Sequence, residues 1–133
     1  MVNIIKSLRL LFSSLIGLIL ASISARAQQA KAYENVRYEA YKDGMVFQLN
    51  YADGYIGASK IKLKQQLKTV VLVPESGMPD VNGDLVFYPV ARSDKRKIML
   101  AGLDEEATAP RTIHGTYKTK GRVTTLIFIK SKM

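Results

Sequence analysis

Hydrophobic and polar side chains alternate with a period of two along much of this chain. Met45, Phe47, Leu49 and Tyr51 interleave with Val46, Gln48 and Asn50, and Ser59, Ile61 and Leu63 with Lys60, Lys62 and Lys64. A strand turns successive side chains to opposite faces, so this rhythm predicts half-buried β-strands. Residues 70–73, 85–90, 98–100 and 123–129 add four runs rich in β-branched or aromatic side chains. Residues 33–41 and 112–118 alternate less cleanly and complete a set of about eight short strands. Helical spacing is scarce.

Turn chemistry separates the runs. Asp43-Gly44, Asp53-Gly54, Asn82-Gly83 and Lys120-Gly121 each supply a glycine where a tight reversal needs a positive φ, so most neighbouring strands are expected to be antiparallel. Pro74, Pro79 and Pro110 bound longer loops. Pro89 falls late in its run, which predicts an edge or a bulge there, because proline cannot donate to an interior ladder. The pattern predicts an all-β domain, either an antiparallel sandwich or a small closed barrel. Eight membrane-crossing strands of about 9 to 11 residues plus loops would exhaust the chain, and "IFIKSKM" ends in lysines where an aromatic girdle belongs. An outer-membrane barrel is therefore not expected.

The alternation is absent from the first 27 residues. Lys6 and Arg9 precede an uncharged interval over 10–25 that is interrupted by serines and a glycine. That is short against the roughly 20 apolar residues a helix needs to cross a bilayer. Ala25-Arg26-Ala27 places small side chains at alternate positions, as signal peptidase requires, so 1–27 reads as a signal peptide cleaved after Ala27 and 28–133 as a single domain. The chain has no cysteine, which excludes disulfides and a thioether lipid anchor, and it has no Asn-x-Ser/Thr sequon. Cysteine-free export suits a bacterial periplasm or exterior better than a eukaryotic secretory route.

The formal net charge is +9, and the leader removes three cations and no anions, so the domain keeps an excess of about six positive charges. Lys60, Lys62 and Lys64 are expected on one strand face about 7 Å apart, with Ile61 and Leu63 behind them. Lys118, Lys120 and Arg122 form a second basic cluster, and Arg92, Lys95, Arg96 and Lys97 a third. Rows of hydrated ammonium groups attract phosphates or uronates through a salt-sensitive field. The same lysines also serve as gatekeepers that keep a strand from pairing with other chains.

Other candidates carry less. His114 is the only histidine, and no nucleophile elbow accompanies Ser59, Ser76 or Ser93, so no triad is expected. Asp80-Val81-Asn82-Gly83-Asp84 resembles a calcium loop only in its first positions and reads as an Asn-Gly turn capped by aspartates. Asp104-Glu105-Glu106 reads as a solvated loop run, and the tyrosines Tyr38, Tyr41, Tyr51 and Tyr55 as cross-strand packing.

The function expected from the sequence is thus non-enzymatic binding to, or packing against, an envelope component: a protein partner, or a polyanion such as an acidic glycan or lipopolysaccharide held through Lys60, Lys62 and Lys64 with Lys118, Lys120 and Arg122. No cofactor, no metal and no intracellular nucleic acid are expected, nor any membrane span after cleavage. The alternative is a carrier with an apolar barrel cavity lined by Phe47, Leu49, Phe87 and Phe128. A carboxylate-dependent hydrolase is a third reading.

Overall fold

The Asp43-Gly44 turn sets the first hairpin, joining β1 (Glu34–Lys42) to β2 (Met45–Asp53). Both turn residues have positive φ, 51° and 75°, which matches the twist of the two strands they connect. Lys42 faces Met45 across the turn, and the pairing runs to Glu34 and Asp53. The computed structural model describes residues 33–132, so the expected leader over 1–27 and its cleavage point lie outside the described residues.

After β2 the chain makes a short 3-10 turn over Ile56–Ala58 and enters β3 (Lys60–Gln65). Six strands follow one another in antiparallel order: β3, β4 (Lys68–Pro74), β5 (Leu85–Pro89), β6 (Lys97–Ala101), β7 (Thr112–Thr119) and β8 (Arg122–Lys130). β8 returns to β1 through Tyr38↔Lys130 and Glu39↔Ile129, reinforced by the Ser131 N–H donating to the Arg37 carbonyl at 2.8 Å. The sheet is therefore a closed barrel of eight strands and not a sandwich. The less cleanly alternating segments are full strands: β1 and β7 take part in the two longest hairpins.

The register makes the barrel narrow. From Tyr38 it leads through Leu49, Ile61 and Leu72 to Pro89, and carried on round the barrel it comes back about eight residues displaced along β1. An eight-stranded barrel of that stagger is just wide enough for side chains to fill. Tyr38, Phe47, Leu49, Leu63, Phe87, Leu100 and Phe128 are all buried in one interior cluster. Tyr38 meets Tyr51 edge to face with centroids 6.0 Å apart, and Phe47 meets Tyr117 at 5.2 Å. Each such side chain contributes about 1.5–3 kcal/mol by leaving water.

Gly115 shows how tightly the interior is filled. It points inward from the middle of β7, and a Cβ there would stand 3.2 Å from the Leu100 Cδ2, the Met99 carbonyl oxygen and the Phe128 Cε2. Pro89 sits on no free edge, because the barrel has none. It pairs with Leu72 on β4 and lies beyond the last β5–β6 pair, Phe87↔Ile98, so its missing N–H interrupts no ladder on that side.

Candidate polyanion-binding surface

Antiparallel closure sends successive connections to opposite ends of the barrel. One end, the hairpin end, carries the Asp43-Gly44, Gln66-Leu67 and Lys120-Gly121 turns and the loop over 90–96. The other, the loop end, carries the connections over 54–59, 75–84 and 102–111.

The sequence distributes charge between these ends unequally. Of the eleven acidic residues, all but Glu39, Asp43 and Asp94 lie at the loop end, in its connections or the strand ends beside them. At the hairpin end the β1–β2 turn contributes Lys42, the β3–β4 turn Lys64 and Lys68, and the β5–β6 loop Arg92 and Lys95. Lys118, Lys120 and Arg122 surround the β7–β8 turn, and Lys97 faces Lys118 directly across the β6–β7 ladder. The loop end also holds Lys60, Arg111, Lys130 and Lys132, but it is net acidic where the hairpin end is net basic, so the barrel carries charge of opposite sign at its two poles.

The lysine row lies as its spacing implies. Lys60, Lys62 and Lys64 are exposed on the outside of β3 while Ile61 and Leu63 are buried. They pair laterally with Asn50, Gln48 and Val46 on β2, and Arg37 faces Asn50 from β1. Arg37, Gln48, Asn50, Lys60 and Lys62 line a shallow concavity of about 250 Å³, where amide groups stand between cations. The row runs along the barrel wall and reaches the hairpin end at Lys64.

Lys64, the second cluster and the cations around 92–97 thus meet at the hairpin end from different sides, whereas Lys60 stands at the opposite end of β3, beside the 54–59 connection. Lys60, Lys62 and Lys64 on β3 stand four strands away from Lys118 on β7, while Lys97 and Lys118 are neighbours. Arg96 does not join the outer surface. Its guanidinium is bound to Asp94 and hydrogen-bonds Tyr117, and these contacts raise its pKa above the ordinary arginine value while lowering that of the Asp94 carboxyl. The pair thus ties the 90–96 loop to Tyr117, whose ring packs on Phe47.

The loop end is held together by hydrogen bonds that its connections make with one another and with side chains of β1 and β2. The Leu103 N–H donates to the Gly83 carbonyl at 2.8 Å, the Ala109 N–H to the Asp53 carboxylate at 3.3 Å, and the Tyr38 hydroxyl to the Pro110 carbonyl at 2.5 Å. Burial, and after it the Asp53 carboxylate, push the Tyr38 and Tyr51 hydroxyls up to about 12; Tyr38, Glu105 and Asp104 add to the effect at Tyr51. Asp80 accepts the Asn82 and Asp84 N–H groups on one carboxylate oxygen at 2.9 and 3.0 Å, the geometry of a capped turn. Ser59 is buried and accepts the Ala52 N–H at 2.9 Å, whereas His114 is exposed on the outside of β7. No protein family matches this chain, and neither does any curated protein or solved structure.

Tyr33 and Tyr55 meet at the loop end with centroids 6.1 Å apart and ring planes tilted by 57°. Sequence reasoning gave no sign of a larger groove of about 660 Å³ on the outer face of β4 and β5, walled by the 90–96 loop. Its residues are scattered between 73 and 95 and carry no local motif.

Proposed function

We propose that this chain is an exported, non-enzymatic β-barrel that binds an envelope polyanion, an acidic glycan or lipopolysaccharide, at its basic pole. The observation that supports this most is the partition of charge between the two ends. Lys42, Lys64, Lys68, Lys118, Lys120 and Arg122 gather at turns that share little else, and only Asp43 and Asp94 accompany them there, while eight of the eleven carboxylates sit at the far end. A gatekeeping role for Lys60, Lys62 and Lys64 accounts for one strand but not for a whole pole. The leader read over 1–27 favours an envelope setting, and the apolar inside and charged outside favour an aqueous one over the reverse pattern of a membrane barrel.

The interior weighs against carriage of an apolar molecule within the barrel, since Phe47, Leu49, Phe87 and Phe128 pack against one another there. Binding to polygalacturonate and to lipopolysaccharide micelles, followed across a salt series, tests the proposal. Affinity is expected to fall steeply with salt, and to fall again when Lys60, Lys62 and Lys64, or Lys118, Lys120 and Arg122, become glutamine. Absence of binding at low salt, or binding indifferent to both sets, would defeat it.

A further inference from the structure

The groove on β4 and β5 differs from the rest of the basic pole in being floored by apolar side chains. Val73 and Pro74 come from β4 and Tyr88 and Pro89 from β5, with Val73 and Tyr88 directly opposite each other on the outer face. Tyr88 is 40% and Val90 62% exposed, so a flat ring and a branched side chain are open to solvent side by side. The wall is the loop that carries Arg92 and Lys95. It is pinned by the Asp94 N–H donating to the Ala91 carbonyl at 3.0 Å and by the bond of Asp94 to Arg96. Glu75 stands at the opposite end, its N–H held by the Val86 carbonyl at 2.8 Å.

We propose that this groove is the saccharide subsite of the polyanion-binding surface, and that it takes an acidic pyranose ring such as a hexuronate. The inference rests on the polyanion reading above and gives it a ligand class. A volume of about 660 Å³ admits one or two sugar rings. A pyranose offers an apolar C–H face to the Tyr88 ring and to Val73 and Val90 beside it. Its carboxylate is met by the Arg92 guanidinium, whose fork suits two carboxylate oxygens, and by the Lys95 ammonium. Its hydroxyls donate to the carboxylates of Glu75 and Asp94. A bare phosphate chain matches this lining poorly: it has no apolar face for Tyr88 and no hydroxyl groups to donate to Glu75. The mixture of one aromatic, two cations and two anions is what a charged sugar needs and what a simple anion does not.

Calorimetric titration of the whole chain with hexagalacturonate, maltohexaose and inorganic polyphosphate, on the native protein and on Tyr88→Ala, tests this. Hexagalacturonate affinity is expected to drop about tenfold in Tyr88→Ala, polyphosphate affinity to stay within about twofold, and maltohexaose to bind at least about tenfold more weakly than hexagalacturonate. Unchanged hexagalacturonate binding in Tyr88→Ala, or equal losses for both polyanions, overturns the subsite, as does equal affinity for maltohexaose. Polyphosphate binding without hexagalacturonate binding overturns the subsite and leaves the polyanion surface standing, whereas failure of both overturns the two together. Should Tyr88→Ala not fold, Arg92→Gln with Lys95→Gln is read in the same way, with a larger loss expected for hexagalacturonate than for polyphosphate and an equal or smaller one contradicting the subsite.

Discussion

The Arg96 Nε donates to both carboxylate oxygens of Asp94, at 2.9 and 3.0 Å, and its Nη2 adds a further bond to Oδ2. The Arg96 backbone N–H reaches Oδ1 as well, at 3.0 Å. Two residues apart in sequence, the pair turns the β5–β6 loop and sets the wall from which Arg92 and Lys95 project.

The Asp94 carboxyl is held below its ordinary 3.8 by these bonds, so the stability it supplies is complete above about pH 4 and is lost as acid carries the pH through the lowered value. The pair is partly exposed, which limits its worth to about 1 kcal/mol or less at neutral pH. Asp94→Asn is expected to melt a few degrees below the native chain at pH 7, and the difference to narrow as the pH falls below about 4. Melting curves across that range check it. A difference that stays unchanged however far the acid series is carried would contradict it.

Glycine substitutions probe the packing. Gly115→Ala pushes a methyl group against the Met99 carbonyl, which the ladder fixes, and against Leu100 and Phe128. A cost of about 1–3 kcal/mol is expected in urea unfolding. Gly57→Ala is expected to cost more, because its Cβ would fall 2.5 Å from the Gly77 carbonyl oxygen, where backbone meets backbone.

Much of the fold is legible in the sequence, and its limits are physical. The strands with a clean two-residue rhythm, β2 and β3, follow from the side chains alone, and the Gly44 and Gly121 turns follow from chemistry. The β3–β4 turn does not. It uses Gln66 at φ 53° and a fully exposed Leu67 in place of glycine, a local cost that the pairing of Ile61 with Leu72 and Leu63 with Val70 sustains. Closure into a barrel depends on β1 meeting β8, a contact between chain-distant residues that no local pattern encodes. The poles were hidden for the same reason. Lys64, Lys95 and Lys120 are far apart in sequence and become one surface only once the parity of the connections is known.

At the loop end, the neutral hydroxyls of Tyr38 and Tyr51 are the favoured form in the fold. Their pKa values rise from 10.0 to about 12, so their contribution is complete below pH 10 and is lost as the pH climbs from 10 to 12. Urea midpoints are expected to fall over that interval, and to fall less in the Tyr38→Phe, Tyr51→Phe double variant. Tyr38→Phe alone also removes the bond to the Pro110 carbonyl, at a cost of about 0.5–1.5 kcal/mol. An alkaline slope that is the same in both chains would contradict the assignment.

Mapping amide chemical shifts during titration with inorganic polyphosphate at low salt tests the polarity of this barrel most directly. Shifts are expected to concentrate at Lys42, Lys64, Lys68, Lys95, Lys118 and Lys120 and to fade as salt is added. Shifts centred on 54–59, 75–84 and 102–111, or none at all, would contradict it.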